Sequence, residues 1–556
     1  MAQQLGTPPV SRFRAFAPLR VKTFRTIWLA SIFSNFGQLI LGVGAAWEMT
    51  HLTSSAEMVA LVQTALMLPL MLISVPAGAI ADMFDRRRIA LAGLGFATVS
   101  AMVLTTLSFF GLATPWVLLA FCSLIGGGVA LYSPAWQASI SEQVGPDDLP
   151  AAVALGAISY NIARSFGPAV GGVIVLAAGA TAAFGVNAIG YIPLLGALFL
   201  WRRLPTANRL PPERIDRAII SGARYAFHSS PVRTVAVRAF FISGCSATAV
   251  SLTALIAKDQ LGGDAGTYGL MLGCYGVGSV LGAFFISEIR DRFSPEAALR
   301  GCSLVTAAMV IAIGLSHATI LTCGFMALAG ASSMISTSML NVAVQLSVPR
   351  WITARALSFY QSALTAGVGI GAAIWGRVAG EVGVAEAFVA SGVALALSTL
   401  LGFVLPIPRT SGVGFEPAEL KADPEVALAI TARSGPIIIE INYCVDPDEA
   451  RHYYDAMQKL QRSRQRNGAF EWSLARDLAD PSAWTERFHY PTWQDYLRQR
   501  SRLTQHDMTL QAAADAFSAH KPDTRVRRLL ERPFGSVRWR AETPEADTGM
   551  LNIYTP

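Results

Sequence analysis

Long apolar stretches recur along the chain from Thr26 to Pro406, and short polar segments separate them. A bilayer core of about 30 Å requires roughly 20 apolar residues in a helix, which is the typical length of these stretches. Glycine and proline are frequent inside them, as membrane helices tolerate. The pattern predicts twelve transmembrane helices, which we number 1 to 12 and place at residues 26–49, 57–81, 89–110, 116–141, 151–178, 182–201, 234–257, 267–287, 298–316, 319–347, 354–380 and 384–405.

The composition agrees with a membrane protein. Hydrophobic residues make up 53% of the chain and charged residues only 15%, whereas soluble domains average about 25% charged residues. Most of the net charge of +7 lies in short loops, so it indicates membrane orientation rather than nucleic-acid binding. We therefore expect the lipid bilayer and a small-molecule substrate as partners, and we expect no nucleic acid, cofactor or metal.

Lysine and arginine are distributed unevenly among the loops. They are abundant in the basic arm of residues 1–25, in the loop between helices 2 and 3 and in the central loop 202–233. They are nearly absent from the intervening loops, where Lys258 is the main exception. By the positive-inside rule, this distribution predicts a multi-pass protein of the inner membrane with both termini in the cytoplasm.

An internal repeat relates the first six predicted helices to the last six at an offset of 204 residues. Gly78 corresponds to Gly282, and Arg86 corresponds to Arg290. The same offset places helices 2, 4 and 5 on helices 8, 10 and 11. Transporters are often built from such repeated segments, so the repeat predicts two six-helix halves in parallel orientation.

The loop between helices 2 and 3 carries a motif in which Gly78 and Asp82 precede Asp85 and three consecutive arginines, Arg86 to Arg88. This segment resembles the loop signature of the major facilitator superfamily. In that signature a glycine lets helices pack closely, an aspartate ends the helix, and arginines follow at the lipid headgroups. Asp85 departs from the general pattern, which more often has glycine. The resemblance implies the major facilitator fold.

The same loop is the candidate cytoplasmic gate. Asp82 is expected to lie near the start of helix 11, which carries Arg355 and the partial positive charge of a helix N-terminus. Arg86 is expected to pair with Glu142 at the inner end of helix 4, and Arg88 completes the predicted gating set. As an alternative, the loop arginines serve only to determine topology.

Helix 5 contains Gly167 and Pro168 followed by Gly171 and Gly172. This spacing resembles a signature common in exporters of the same superfamily, although Ala163 stands where a glycine is expected. Small residues let membrane helices approach closely, so these four residues and Gly78 are the predicted helix-packing set. A role of the motif in the direction of transport is the alternative, and both roles are compatible.

Two further stretches, residues 133–138 and the acidic loop 145–149, narrow the resemblance. Together with the C-terminal tail, they resemble the branch that contains the bacterial enterobactin exporter and its secretion-effector relatives. The resemblance spans about residues 15–535 and implies export of a small organic molecule in exchange for protons. No GxxxxGK[ST] sequence is present, so ATP is not the expected energy source. The substrate does not follow from the resemblance.

Polar residues recur at every fourth position on two equivalent helices. Ser133 and Gln137 lie on helix 4, and Thr337 and Asn341 lie on helix 10. Residues four apart share one helix face, so each helix presents a polar stripe. The stripes are expected to line a water-filled cavity, with interhelical hydrogen bonding as the alternative. The predicted substrate-binding residues are Asn35, Gln38, Gln137, Arg164, Thr337 and Asn341.

Arg164 belongs to that set because it lies near the middle of helix 5. A charge at that depth is costly and is functional by default. An arginine that caps backbone carbonyls inside the bundle is the alternative. A cation at this position favours an anionic or catechol-like substrate.

The composition changes after Pro406, where residues 406–434 are predicted to form a linker. The tail then shows the order β-α-β-β-α-β, which is the ferredoxin-like arrangement. It is similar to the dimeric α/β-barrel family that includes the antibiotic-biosynthesis monooxygenases. An isolated four-stranded sheet leaves one face exposed, so we expect a homodimer through the tail, or docking on the transporter, to cover it. Strands are predicted at 436–445, 470–477, 483–490 and 525–531, and helices at 448–466 and 492–504.

The tail is expected to bind a partner or ligand rather than to catalyse a reaction. Its histidines share no recognisable catalytic spacing, and Tyr496 and Arg500 stand where the exporter relatives are expected to have histidines. A general acid or base in that helix is therefore not expected. The aromatic residues that either line a pocket or form the core are Trp472, Trp484, Phe488 and Trp493.

These observations predict an all-α polytopic membrane protein with a small α+β ferredoxin-like domain at its C-terminal end. The predicted function is secondary active export of a siderophore-like or drug-like molecule by alternating access. A membrane-anchored enzyme, or a sensor, acting through the tail is the alternative. The predicted domains are 1–25 (basic arm), 26–201 (N-terminal half), 202–233 (central loop), 234–405 (C-terminal half), 406–434 (linker), 435–535 (ferredoxin-like domain) and 536–556 (tail end).

Overall fold

The computed structural model of the chain describes residues 12–145, 148–201, 229–348, 353–407, 424, 426–428, 430–500, 503–518 and 526–531. These residues form two compact units. One unit is a bundle of apolar helices, and the other contains the C-terminal sheet with its own helices.

The bundle contains the predicted helices in the predicted order, except that the seventh is interrupted after Cys245. Ten segments of the described chain are long and apolar enough to cross a membrane, and one of them holds two predicted helices in succession. The helices are α1 (Lys22–Leu52), α2 (Ala56–Met83), α3 (Arg86–Phe109), α4 (Pro115–Ser139), α5 with α6 (Leu149–Leu200), α7 (Ser230–Cys245), α8 (Ala265–Phe284), α9 (Pro295–Leu315), α10 (Thr319–Leu346), α11 (Thr353–Val382) and α12 (Val384–Ser398).

A single residue separates α5 from α6. Gly179 has φ 79° and ψ 172°, so the chain leaves helical geometry there and resumes it at once. A positive φ favours glycine because a side chain would clash with the backbone. We call residues 149–178 α5 and residues 180–200 α6.

Short polar side chains begin several of the helices. Asp85, which replaces the glycine of the superfamily motif, accepts a hydrogen bond of 3.1 Å from the backbone N–H of Arg88. Thr114 and Asp264 cap α4 and α8 in the same way. Such caps satisfy backbone donors that have no partner inside the helix.

The prediction of a continuous helix at residues 234–257 is wrong. After α7 the chain forms two short turns and then a π-helix over Ile256–Gln260. The hydroxyls of Ser246, Ser251 and Thr253 donate to carbonyl oxygens four residues earlier. Such back-bonding bends helices, which agrees with the break.

The tail contains a four-stranded antiparallel sheet of order β2-β3-β1-β4. The strands agree with the prediction, but one helix was missed. The predicted helix 492–504 ends early, and a second helix follows it after a capping box between Thr504 and Asp507. The elements are β1 (Ile437–Cys444), α13 (Ala450–Arg466), β2 (Phe470–Arg476), β3 (Ala483–Tyr490), α14 (Trp493–Arg500), α15 (Gln505–Asp515) and β4 (Val526–Leu530).

The two faces of the sheet differ. On one face Ile439, Ile441 and Phe488 belong to the apolar core that packs against the helices. On the other face Glu440 is paired with Arg487 and lies 3.7 Å from Arg527. Because side chains alternate along a strand, neighbouring residues of β1 contribute to opposite faces.

Candidate functional site

Among the described residues, several contacts between the two halves lie toward one end of the bundle. We call it the Thr50 end, where α1 stops, and we call the opposite end, where α3 begins, the Arg86 end. The Oγ1 of Thr64 in α2 donates a hydrogen bond of 2.7 Å to the carbonyl of Gly369 in α11. The ammonium of Lys258 donates to the carbonyl of Thr50. Both contacts join an N-terminal helix to a C-terminal one.

The closest approach between the halves lies between α5 and α8. A Cβ added to Gly172 would lie 2.5 Å from the Cα of Gly269, so only glycine fits on either helix. The same helices meet again nearer the middle of the bundle, where Gly276 packs on the backbone of Ser165. The carbonyl of Pro168 also borders Gly269.

The other glycines of the helix 5 motif pack within the N-terminal half. A Cβ at Gly167 would lie 2.9 Å from the Cβ of Leu39, and one at Gly171 would lie 3.2 Å from the Cα of Ile40, both in α1. Close packing by Gly167, Pro168, Gly171 and Gly172 is therefore present. The structure does not show the close contact predicted at Gly78, because no described atom lies within 4 Å of its added Cβ.

The predicted polar stripes are accessible on α4 and α10. The side chain of Gln137 is exposed and donates a 3.4 Å hydrogen bond to Ser133 one turn away. Thr337 and Asn341 are half-buried, and the Oγ1 of Thr337 donates to the carbonyl of Ser333. Exposed amides are costly in lipid, so this surface is suited to face water.

Arg164 is half-buried on α5, next to the Ser165 backbone that packs on α8. Within the described part of the chain, it makes no hydrogen bond or ion pair. The alternative that it caps backbone carbonyls thus has no support among these residues. A cation without a fixed partner is available to an anionic ligand.

Asn35 and Gln38 differ in their surroundings. The Nδ2 of Asn35 donates a 3.1 Å hydrogen bond to Ser159 of α5, and Ser31 lies 3.3 Å from the same hydroxyl. Asn35 thus belongs to a polar seam between α1 and α5. Gln38, one turn further along α1, is half-buried.

The structure describes the side chains of only some of the predicted gating residues. Arg86 lies 3.1 Å from the carboxylate of Glu142 and donates a 2.8 Å hydrogen bond to the carbonyl of Ala138. Arg88 is exposed. The side chains of Asp82 and Arg355 lie outside the described residues, so their predicted contact stays a prediction.

One residue of the motif has a partner that sequence reasoning missed. Arg87 donates a 2.9 Å hydrogen bond to the carbonyl of Leu198 and another to that of Phe199. Its guanidinium also lies 5.9 Å from the centre of the Phe199 ring. Arg87 therefore caps the C-terminal end of α6, where carbonyls lack partners and a positive charge is favourable.

The C-terminal half ends in a comparable way. Arg300 in α9 lies 4.0 Å from the ring centre of Phe403, which is the residue that the 204-residue offset pairs with Phe199. Glu296 accepts hydrogen bonds from Arg238 at 2.5 Å, from Arg300 at 2.7 Å and from the backbone N–H of Ile407 at 3.1 Å. Phe199 and Phe403 occupy equivalent positions in the two halves, and this correspondence in the sequence could have located the two arginine contacts.

Comparison with known proteins agrees with this architecture. The family model of the transmembrane secretion effectors matches residues 13–534, which is most of the chain. The chain belongs to this family of the major facilitator superfamily. The family and the structural neighbours are transporters, and the protein is a multi-pass membrane transporter.

Curated relatives and solved structures extend the comparison. The enterobactin exporter EntS of Salmonella choleraesuis is 24% identical over 362 residues, covering 64% of this chain and 84% of that protein. The staphyloferrin A transporter of Staphylococcus aureus is 30% identical over 165 residues, covering 29% and 42%. The fold also matches a bacterial homologue of the human lysosomal transporter Spinster with a TM-score of 0.55 at 14% identity, covering 72% of this chain and 96% of that one.

Proposed function

We propose that the protein is a secondary active exporter of a small, siderophore-like organic anion that works by alternating access in exchange for protons. It lies in the inner membrane with both termini in the cytoplasm. The observation that carries this proposal is an asymmetry between the ends of the bundle within the described part of the chain. Glycine backbones join the halves toward the Thr50 end, while the polar stripes of α4 and α10 remain accessible closer to the Arg86 end.

Alternating access needs contacts that form in one state and separate in the other. The contact of Gly172 with Gly269 and the single hydrogen bond from Thr64 to Gly369 suit this need. Neither contact contains an ion pair that would have to be broken. At the Arg86 end, Asp82 and the N-terminus of α11, with Arg355, form the complementary gate when the Thr50 end opens.

The proposed substrate class rests on the charged and polar residues of the candidate site and on the names of two related transporters. Arg164 supplies a positive charge midway along α5, and Gln137, Thr337 and Asn341 supply hydrogen-bonding groups from both halves. Two related transporters are named for the molecules enterobactin and staphyloferrin A. These features support an anionic, oxygen-rich substrate.

The tail takes part through association rather than catalysis. On its helix-free face, the buried carboxylate of Glu440 lies between the exposed Arg487 and Arg527. An isolated four-stranded sheet leaves a face that a second copy can cover, so we propose that the full chain forms a homodimer through it. The mass of the protein in detergent, with and without the substitution Glu440→Lys, tests this contact.

The export proposal is tested by measuring the uptake of radiolabelled, iron-free siderophores into inverted membrane vesicles with an imposed pH gradient. We expect Arg164→Ala to abolish uptake, and Gln137→Ala and Asn341→Ala to change the preference among siderophores. Arg377→Ala is the matched control, since Arg377 is 67% exposed and its ion pair among the described residues is with Glu381, one turn away. Wild-type transport of every substrate by all three variants would place the cavity elsewhere. An uptake rate that does not depend on the pH gradient would exclude exchange of substrate for protons.

A further inference from the structure

The tail contains a cavity that the transport proposal does not use. It has a volume of about 240 Å³ and lies between the helix-bearing face of the sheet and helices α14 and α15. Ligand pockets usually measure about 300–1,000 Å³, so this one suits a molecule of a single ring. The residues that line it are Ile439, Ile441, Arg464, Phe488, Tyr496, Gln499, Arg500, Leu503, Asp507, Met508, Gln511, Asp515, Val526 and Arg528.

Arg464 and Gln511 line one side of the cavity, and a network of buried polar groups lies behind them. Glu486 is fully buried and accepts hydrogen bonds from Arg464 at 3.2 Å, from Trp472 at 2.9 Å and from Tyr443 at 3.2 Å. Arg464 also lies 4.8 Å from the ring centre of Phe488 and donates to Gln511. A buried charge is tolerated when it is paired in this way, so these hydrogen bonds position Arg464 and Gln511 in the lining.

The floor of the cavity is apolar and flat. Ile439 and Ile441 of β1 and Phe488 of β3 lie side by side on one face of the sheet, because Ile439 is directly paired with Phe488. Tyr496 of α14 adds a second ring. Aromatic and aliphatic side chains in this arrangement favour a planar apolar ring.

Arg528 lines the cavity and carries more hydrogen-bond donors than it uses within the described residues. The Nε of Arg528 donates a 2.8 Å hydrogen bond to the hydroxyl of Tyr496. Among the residues that the structure describes, its two terminal nitrogens have no partner. A guanidinium edge is the preferred partner of a carboxylate, which it binds with two parallel hydrogen bonds.

The remaining charges of the lining are mostly neutralised. Arg464 is paired with Glu486, and Asp507 with Arg466 at 2.5 Å. Gln511 donates a 2.8 Å hydrogen bond to Asp515. Arg500 also has an interaction partner. Arg528 therefore remains as the cation of the lining whose terminal nitrogens have no partner among the described residues.

We infer that this cavity binds a small aromatic carboxylate, with the ring on Ile439 and Phe488 and the carboxylate on Arg528. The site lies entirely within the tail, so it is separate from the transport path.

The chain offers a matched pair of arginines to test this inference. Arg528 and Arg527 are neighbours on β4, but Arg528 pairs with Ile439 of the cavity floor and Arg527 pairs with Glu440 of the opposite face. Benzoate binding to the full chain in lipid nanodiscs is measured by calorimetry, and about millimolar affinity is expected for so small a ligand. Arg528→Gln should weaken binding about five- to tenfold, because the lost hydrogen bonds are charge-assisted but partly exposed to solvent. Arg527→Gln should change it less than about twofold.

A second variant and a second ligand complete the test. Met508 lines the cavity and is 43% exposed, so Met508→Trp fills the space without burying a larger side chain in the core. It should abolish benzoate binding, and benzamide, which has the same shape without the charge, should bind at least fivefold more weakly than benzoate. The proposal is overturned by absence of benzoate binding at about 10 mM, by equal affinity for benzamide, or by unchanged binding in either Arg528→Gln or Met508→Trp.

Discussion

Replacement of Gly172 by valine is expected to shift the protein away from the conformation closed at the Thr50 end. The Cβ would lie 2.5 Å from the Cα of Gly269 and 2.8 Å from the carbonyl oxygen of Ala265. Carbon atoms in contact prefer about 3.5–4.0 Å, so α5 and α8 must separate by about 1 Å. Overpacking of this kind costs about 1–3 kcal/mol, which changes the equilibrium between two conformations by about 5- to 150-fold.

Thiol labelling measures this shift. Gln137→Cys places a reporter on the exposed stripe of α4, after the six native cysteines have been replaced. In inverted vesicles, a membrane-impermeant maleimide should label this cysteine at least about fivefold more slowly when Gly172→Val is present. The expected cause is closure of the stripe as the Thr50 end opens.

The matched control is Gly196→Val, since no described atom lies within 4 Å of a Cβ at Gly196. It should leave the labelling rate of Gln137→Cys unchanged, and all variants should reach the membrane in similar amounts. Equal labelling rates in the Gly172→Val and Gly196→Val proteins would refute the reasoning. The contact between α5 and α8 would then be a permanent packing surface rather than a contact that opens.

Three further variants test other parts of the chain. Glu296→Ala leaves Arg238, which is 2% exposed, without its carboxylate partner. The free energy of unfolding should fall by about 3–5 kcal/mol, which lowers the thermal midpoint in detergent by about 6 °C or more. As the control, Glu381→Ala breaks an ion pair that is 62–67% exposed and should lower the free energy of unfolding by less than about 1 kcal/mol. Equal midpoints would contradict the anchor role of Glu296. Burial of Asp507 opposes its ionisation, but Arg466 and hydrogen bonds from Ser463 and Thr504 outweigh this and hold its pKa below the usual value. Its contribution to tail stability should therefore be present above about pH 4 and lost as the pH falls through the lowered pKa, and amide-exchange protection of α15 should not show this acid-dependent loss in Asp507→Asn. Asp82→Asn should abolish transport while the protein still reaches the membrane, and full activity would remove the proposed gate.

The sequence alone determined the elements and their grouping. An apolar segment of membrane length must form a helix, because lipid offers no partner for its backbone groups. Loop arginines and the 204-residue offset then revealed two six-helix halves, and alternation of apolar residues located the strands of the tail. The helix at residues 234–257 was predicted wrongly because serine and threonine are compatible with a membrane helix. Only their back-bonding geometry shows that this helix breaks.

The partners of the candidate site were decided by tertiary structure alone. Gly172 was recognisable as a packing residue, but its counterpart Gly269 lies on a different repeat. Asn35 was predicted to contact substrate, which stays a prediction, and only the folded structure reveals its hydrogen bond to Ser159 of α5. The cavity of the tail, with Arg528 at its edge, depends on strand register and on a helix that the sequence pattern did not reveal. The physical reason is common to all three: periodicity specifies which face of an element a residue occupies, whereas the group opposite that face is set by packing between elements distant in sequence.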